Sequence, residues 1–171
     1  MIASYGAAVA HLFRMDEETW ARHASPWSVF TRIASLPLLL LTLWSHAWLG
    51  WQGALVATLA VCIWLWANPR LFPAPVHTDN WASKTTFGER IWLNRNERPI
   101  PLHHGRAVRA LSASAAIGFL VSVVAALWND LTWTIAGGLV AWFSKLWFVD
   151  RMVWLFEDMK DSDPRYRGWI R

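Results

Sequence analysis

The distribution of charged residues constrains this chain more than any other feature of its sequence. Residues 33–67 and 110–129 contain no Asp, Glu, Lys or Arg, and a third such stretch, 131–144, ends at Lys145. Charged residues make up 16% of the 171 residues, which is below the roughly 25% usual in soluble domains. A soluble domain of this size has no core large enough to bury so much apolar surface. The sequence therefore predicts an integral membrane protein.

Four segments have the length and composition of transmembrane helices. The hydrocarbon core of a bilayer is about 30 Å thick, so a helix needs about 20 residues to cross it. We predict spans at about residues 26–48, 51–67, 106–128 and 131–156. We expect Asn68-Pro69 to end the second helix, because proline cannot continue the helical hydrogen bonding. The predicted fold is all-α, with the four helices arranged as two hairpins in one membrane domain of residues 1–171.

The placement of Lys and Arg predicts the orientation of these helices. Neither short turn, after the first span or after the third, contains a Lys or Arg. All 16 such residues fall in the N-terminal segment (Arg14, Arg22 and Arg32), around the central loop up to Arg109, or from Lys145 onward. In a four-span chain these three regions share one side of the membrane, and basic residues favour the cytoplasmic side. We predict that both termini and the central loop are cytoplasmic.

Tryptophan is the second compositional sign of a membrane protein. The chain contains 15 tryptophans, and this side chain favours the membrane–water interface, where its ring is apolar and its N–H reaches water. Trp44, Trp48 and Trp51 surround the first predicted turn, and Trp128 and Trp133 surround the third. The tryptophans therefore mark the predicted ends of the spans.

The central loop, about residues 68–105, is long for a connector without secondary structure. Thr86-Phe-Gly-Glu89 matches the capping-box pattern that starts helices. The apolar residues 91–93 beside Arg90 and Arg95 suit a short amphipathic helix at the membrane surface. We predict that such an interfacial helix begins near Thr86.

A stripe of small residues runs along the third predicted helix at intervals of four. Its members are Ala110, Ser114, Gly118, Ser122 and Ala126. Small residues let transmembrane helices approach each other closely. The stripe predicts either packing against another helix of the chain or a face for a homo-oligomer.

The polar residues that are able to take part in binding or catalysis concentrate on the predicted cytoplasmic side. They precede the first span, occupy the central loop, or lie where the fourth helix leaves the membrane. The candidate site residues are His23, Arg70, Glu89, Arg90, His103, His104, Asp150, Arg151, Glu157 and Asp158. Because these segments share one membrane face, we expect the side chains to converge in one polar site.

The end of the fourth helix allows two interpretations. A functional one makes Asp150 and Glu157 metal ligands or acid–base groups, with His103 and His104 as nitrogen ligands. A structural one pairs Arg151 with Asp158 or with the loop and leaves the other residues as a solvated helix end. We favour the structural interpretation, although ionisable residues at a membrane edge often mark functional sites.

His103 and His104 sit just before the third predicted helix. Adjacent residues of a helix point about 100° apart, and in extended chain they point to opposite sides. Such a pair is poorly placed to bind one metal, so we expect interfacial or phosphate-contacting histidines. The sequence assigns no metal, no cofactor and no catalytic residue.

The basic loop and the apolar spans indicate the kind of partner. Arginines next to interfacial aromatic residues favour anionic lipid headgroups over nucleic acid, so we predict membrane lipids as partners and no nucleic acid. A homo-oligomer or a membrane protein partner stays open. The predicted hydrophobic cores contain no Asp or Glu, which counts against a proton-coupled exporter.

Four segments resemble a family of small prokaryotic membrane proteins of unassigned function. They are WARHASPWSVFTR at residues 20–32, NPRLFP at 68–73, GERIWL at 88–93 and KLWFVDRMVWLFED at 145–158. The resemblance extends over nearly the whole chain. It implies a prokaryotic plasma membrane and the same topology, and it implies no activity, cofactor or catalytic residue.

Two functions are consistent with these patterns. The leading hypothesis is a membrane-embedded protein that binds lipid headgroups or an amphiphile at a polar cytoplasmic site, as a binding protein or as an enzyme. The alternative is a non-catalytic accessory or scaffold subunit of a larger membrane complex. A channel or transporter is a third hypothesis, which the lack of polar residues in the spans disfavours.

Overall fold

The computed structural model describes residues 15–171, and helices are the only regular secondary structure in that part of the chain. Arg14, which contributes to the predicted orientation, lies outside the described residues. The helices are α1 (Glu17–His23), α2 (Pro26–Trp44), α3 (His46–Leu71), α4 (Trp81–Leu93), α5 (Leu102–Leu127), α6 (Leu131–Met159) and α7 (Pro164–Arg167). The predicted all-α fold is confirmed for these residues.

Three of these helices, α2, α3 and α5, are long and apolar enough to span a membrane. They indicate a membrane protein. Helix α6 is also long, at 29 residues, but its tryptophans and Lys145 lower its mean hydropathy. A fourth span at α6, and with it the two-hairpin topology, stays a prediction.

The first turn differs from the predicted one. Helix α2 ends at Trp44, not at residue 48, and helical chain resumes at His46. A break follows at Gly50, whose φ is 68°. Glycine adopts this left-handed value readily because it has no Cβ atom. The long apolar segment therefore begins after Gly50, close to the predicted residue 51.

The predicted end of the second helix at Asn68-Pro69 is wrong. Helix α3 continues to Leu71, with Pro69 inside it. The side chain of Asn68 is fully buried, and its carbonyl oxygen accepts a hydrogen bond of 2.7 Å from the Ser28 hydroxyl. This buried contact between α2 and α3 stabilises a helical turn that proline alone disfavours.

Helix α4 occupies the middle of the central loop, but it begins five residues before the predicted start at Thr86. Its N-cap is Asn80, whose side chain accepts a hydrogen bond of 3.0 Å from the backbone N–H of Ser83. Thr86 does not cap the helix, because its hydroxyl donates to the backbone carbonyl of His23 at 3.2 Å. The position of α4 in a membrane interface stays a prediction.

Helix α5 begins at Leu102, four residues before the predicted start at residue 106. His103 and His104 therefore lie in the first turn of a helix and not in a segment that precedes it. The helix ends at Leu127, and Asn129, with a φ of 59°, forms the turn to α6. Asparagine is one of the few residues other than glycine that tolerate this conformation.

The described chain divides into two compact units. The polar unit consists of residues 15–30, 68–108 and 149–171, and the apolar unit consists of residues 31–67 and 109–148. All ten candidate site residues belong to the polar unit. The apolar unit contains the charge-free stretches.

Hydroxyl groups and a close helix contact are among the features that hold the polar unit together. Ser83 of α4 donates a buried hydrogen bond of 2.8 Å to the carbonyl of Ala24, the C-cap residue of α1. Gly88 of α4 packs directly on the backbone of Met152 in α6, with no room for a Cβ atom between them. Helix α4 is thus a packed core element of this unit, with Ile91 and Phe87 also buried.

The apolar unit shows what the small-residue stripe of α5 does. A Cβ atom on Gly118 would lie 2.7 Å from the backbone nitrogen of Ala141 in α6. The Ser122 hydroxyl donates 2.7 Å to the carbonyl of Thr134, and the hydroxyls of Ser114 and Ser144 are 2.9 Å apart. The middle of the stripe therefore packs against α6 of the same chain, which is the first of the two predicted roles.

Candidate functional site

The ten candidate residues share the polar unit but form separate local groups. One group lies around α1 and α4, a second joins α4 to α6, and a third joins the start of α5 to the end of α6. A pocket of about 350 Å³ lies in the same unit. Of the ten candidates, only Glu157 lines this pocket. One convergent site for all ten, as expected from the sequence, does not form around it.

The group around α1 and α4 contains His23, Glu89 and Arg90. The His23 Nε2 atom lies 3.9 Å from a Glu89 carboxylate oxygen, and both side chains are largely buried. Arg90 pairs with Glu17, and its guanidinium carbon lies 4.7 Å from the ring centre of Trp169. These contacts connect α1, α4 and the C-terminal segment, so they stabilise the unit.

Asp150 and Arg70 also have structural contacts. The indole N–H of Trp81 donates a hydrogen bond of 2.9 Å to the Asp150 carboxylate. This contact joins the start of α4 to α6. At Arg70, the backbone carbonyl accepts a hydrogen bond of 3.2 Å from the Arg22 guanidinium. The described contacts of Asp150 therefore support packing between helices.

Glu157 lies between two lysines at the edge of the pocket. Its carboxylate oxygens are 2.8 Å from the Lys84 ammonium and 2.6 Å from that of Lys160. Hydrogen bonds from Lys160 and Lys84 hold the pKa of Glu157 below its usual range. Lys84 also lies 2.6 Å from Asp79, and the hydrogen bonds to Asp79 and Glu157 raise its pKa.

The pocket is lined mostly by charged residues of alternating sign. They are Asp79, Lys84, Glu157, Lys160, Asp161 and Arg167, together with Ile170. Each of these charges has an opposite partner, including Arg167 and Asp161 at 2.7 Å. A pocket whose charges neutralise each other has little attraction for a simple anion, because its cations are already paired.

The start of α5 and the end of α6 bring His103, His104 and Asp158 together. The Nε2 atom of His104 lies 2.8 Å from Oδ2 of Asp158, and the Nε2 atom of His103 lies 3.7 Å from the same oxygen. The two ring centres are 4.2 Å apart. The expectation that adjacent histidine rings diverge is not met, because both turn toward one carboxylate. The predicted Arg151–Asp158 pair is absent among residues 15–171.

These three side chains differ in exposure. The side chain of His104 is fully buried, whereas those of His103 and Asp158 are 64% and 49% exposed. The Nδ1 atom of buried His104 has no hydrogen-bond partner among residues 15–171. The group is therefore fixed on its inner side and open to solvent on its outer side. A cluster of two imidazoles and a carboxylate can hold a metal ion or move a proton.

Arg151 lies two turns before Asp158 on the same face of α6. Its guanidinium carbon is 5.7 Å from the ring centre of Trp154, whose side chain is 59% exposed. Its Nε–H is buried without an acceptor, and no carboxylate among residues 15–171 pairs with it. Arg151 therefore carries an uncompensated positive charge beside an exposed indole ring.

Sequence reasoning missed two features of this unit. Lys84 and Asp79 line the pocket with Glu157, but more than 70 residues separate them from it, so no local pattern indicates the contact. Arg95 stacks on Trp92, with its guanidinium carbon 4.1 Å from the ring centre. The spacing of three residues on a helix end could have indicated that pair.

Comparison with known proteins assigns a family and no activity. No curated protein and no solved structure matches the chain. A family described as a family of unknown function, DUF6653, matches residues 5–168. Because the match extends over nearly the whole chain, this protein belongs to the DUF6653 family.

Proposed function

We propose that this protein binds the anionic headgroups of membrane lipids, or of a lipid-like amphiphile, through its polar unit. In this proposal four helices cross a prokaryotic plasma membrane, both termini are cytoplasmic, and the polar unit lies at the cytoplasmic face. The observation that supports it most directly is the unpaired guanidinium of Arg151 against exposed Trp154.

The physical basis is the set of interactions that an arginine without an ion pair can form at a membrane surface. A guanidinium forms two parallel hydrogen bonds with a phosphate, and its planar group stacks on an aromatic ring at the same time. An exposed indole favours the headgroup region. Arg151 with Trp154 therefore combines a charge that has no carboxylate partner among residues 15–171 with an aromatic side chain of the kind that anchors in the headgroup region.

A second arginine of the polar unit also lies against an indole ring, although that ring is partly buried and the Trp92 carbonyl accepts a hydrogen bond of 2.7 Å from Arg95. Arg95 stacks on Trp92, and no carboxylate among the described residues pairs with it. Arg106, in the second turn of α5, is exposed and likewise has no ion pair within residues 15–171. Each basic residue near an anionic membrane surface contributes about 1 kcal/mol of binding, so three arginines with no ion pair among the described residues give a clear preference for anionic lipid.

The test is a measurement of retained lipid. The protein is purified in mild detergent with an equal mixture of phosphatidylglycerol and phosphatidylcholine, and bound lipid is counted by native mass spectrometry. We expect the wild-type protein to retain phosphatidylglycerol preferentially. Arg151→Gln should reduce that preference about fivefold, which corresponds to 1 kcal/mol, and Arg95→Gln should reduce it further.

Arg167→Gln is the matched control. Arg167 is an exposed arginine of the same unit, but it already pairs with Asp161 at 2.7 Å. Its replacement should leave the lipid preference unchanged. Equal retention of both lipids by the wild-type protein would contradict the proposal, and so would equal losses in Arg151→Gln and Arg167→Gln.

The alternative of an accessory subunit rests on the apolar unit. Large side chains such as Leu55, Val56, Ile63 and Ile117 are each at least 60% exposed. Lipid chains or a partner protein can cover such a surface. Stoichiometric copurification of another membrane protein, together with no preference among lipids, would favour the accessory role over headgroup binding.

A further inference from the structure

We propose that His103, His104 and Asp158 form a binding site for a divalent transition metal of the Zn²⁺ type. The three side chains each offer one ligand atom, and these atoms all lie within 4.8 Å of one another. The site is distinct from the arginine–tryptophan pairs that support lipid binding, so it does not depend on the proposed function.

The distances are close to those of a tetrahedral metal site. With metal–ligand bonds of about 2.0–2.1 Å, neighbouring ligand atoms lie about 3.3–3.4 Å apart. The two His–Asp distances, 2.8 and 3.7 Å, bracket this value. Each of these two distances departs from the ideal value by about 0.6 Å or less, which is a displacement of the size that side-chain rotation produces.

The orientation of the two histidines is the second argument. A hydrogen bond between His104 and Asp158 needs only one imidazole, and the neighbouring residue of a helix normally points about 100° away. The His103 ring instead turns toward the same carboxylate oxygen, with the ring centres 4.2 Å apart. Two imidazole nitrogens and one carboxylate oxygen that face a common point form a ligand set that Zn²⁺ and related metals favour.

The asymmetry of burial also suits a metal site. Buried His104 fixes the inner side, while exposed His103 and Asp158 leave a path for the ion from solvent. Three protein ligands leave a fourth position for water or a ligand anion, which is the arrangement of catalytic zinc sites and not of structural ones. The site therefore offers a Lewis acid at the surface of the polar unit.

Metal content decides the proposal. The full-length protein, purified without a polyhistidine tag and treated with chelator, is loaded with Zn²⁺ in phosphatidylcholine nanodiscs and freed of unbound metal. Bound zinc is then measured by elemental mass spectrometry. We expect about one zinc per chain in the wild-type protein. His103→Ala and Asp158→Asn should weaken binding about 100-fold or more, since loss of a hydrogen-bonded neighbour of a ligand alone weakens binding about 10- to 100-fold.

Two variants control for residue type. His77 is an exposed histidine outside the cluster, and Glu157 is the acid next to Asp158, already paired with two lysines. His77→Ala and Glu157→Gln should bind zinc as the wild-type protein does. The proposal is overturned if the wild-type protein retains no more zinc than His103→Ala and Asp158→Asn do. It is also overturned if His103→Ala and Asp158→Asn both bind as much zinc as an intact site would.

Spectroscopy gives a readout that folding does not mimic. Co²⁺ in a tetrahedral N/O site shows visible absorption bands that the hydrated ion lacks, so the wild-type protein should develop them and His103→Ala should not. His103 is exposed, and its replacement should leave the thermal midpoint of the metal-free protein unchanged. Because these assays contain no anionic lipid, their failure leaves the lipid proposal intact, and failure of the lipid assay leaves the metal site intact.

Discussion

Gly88 lies directly against the backbone carbonyl of Met152, and a Cβ atom on Gly88 would overlap that carbonyl. The contact joins α4 to α6 in the polar unit, so a Cβ atom at residue 88 forces the two helices apart and disrupts the packing around the contact. We therefore expect Gly88→Ala to destabilise the protein by at least about 2 kcal/mol, the middle of the range for an overpacked core. Thermal unfolding in detergent, followed by tryptophan fluorescence, measures the effect.

Gly168→Ala is the control for this substitution. A Cβ atom on Gly168 would lie 3.4 Å from its nearest neighbour, the carbonyl oxygen of Arg165, which is close to an ordinary van der Waals contact. Its thermal midpoint should be near that of the wild-type protein. Equal midpoints for Gly88→Ala and Gly168→Ala would show that α4 does not pack on α6 in this way.

The α5–α6 contact of the apolar unit makes a second prediction. Gly118→Leu places a large side chain where even a Cβ atom would lie 2.7 Å from the backbone of Ala141. The helices must separate, so the thermal midpoint should fall and the protein should aggregate in detergent. Ala116→Leu, on an exposed position of the same helix, should unfold like the wild-type protein. A Gly118→Leu variant with the thermal midpoint of the wild-type protein would contradict the packing of the small-residue stripe against α6.

The buried Ser28–Asn68 hydrogen bond makes a third prediction. Ser28→Ala removes the hydroxyl that donates 2.7 Å to the Asn68 carbonyl, and both residues are fully buried. We expect a loss of about 1 kcal/mol, the usual cost of a lost intramolecular hydrogen bond. Ser112→Ala, at an exposed position of α5, should cost nothing measurable. Denaturant unfolding in mixed micelles compares the two variants, and a neutral Ser28→Ala would show that the contact contributes nothing.

Asp163 predicts a dependence of stability on pH. Hydrogen bonds from the Arg165 side chain and backbone N–H hold the pKa of Asp163 below its ordinary value of 3.8, and Arg98 lies 3.0 Å from its carboxylate. The Asp163 carboxylate binds a proton less tightly in the folded protein than in the unfolded chain. The contribution of Asp163 to stability is therefore fully present above the pKa that this group has in the unfolded chain. It is lost as the pH falls through the lower, folded pKa.

The thermal midpoint should therefore fall on acidification from about pH 5 to about pH 3. Asp163→Asn removes this contribution, so its midpoint should be lower at neutral pH and should change less with acid. Asp161→Asn, at an exposed carboxylate, should keep the wild-type dependence. An unchanged acid response in Asp163→Asn would mean that other carboxylates carry it.

The fourth span gives the fifth prediction. In a Cys62→Ser background, Trp128→Cys places a thiol at the turn between α5 and α6, and Asp161→Cys places one after α6. With four spans and a cytoplasmic N-terminus, a membrane-impermeant maleimide should label the first variant in intact cells and the second only after permeabilisation. Labelling of both variants in intact cells, or of neither, would mean that α6 does not cross. Labelling of Asp161→Cys alone would mean that α6 crosses in the opposite orientation.

The helices of the apolar unit were predictable because the signal is local. Residues 33–67 and 110–129 lack charges, and the helical character of an apolar stretch depends on consecutive residues alone. Helix ends were less predictable, because they depend on distant partners. Pro69 predicted a helix end, but the Ser28–Asn68 contact across 40 residues supports another turn. Thr86 predicted a helix start, but its hydroxyl bonds to His23, 63 residues away.

The sequence by itself determined the helical class, the three apolar helices and the region in which polar residues gather. Each of these follows from composition and spacing within a few turns of chain. Only the tertiary structure decided which polar residues meet. It gave Glu89 and Arg90 partners in α1 and gave Glu157 two lysines. It also placed His103 and His104 on Asp158, 54 residues beyond His104. Helix packing sets those contacts through side-chain directions and helix registers, which no local pattern contains.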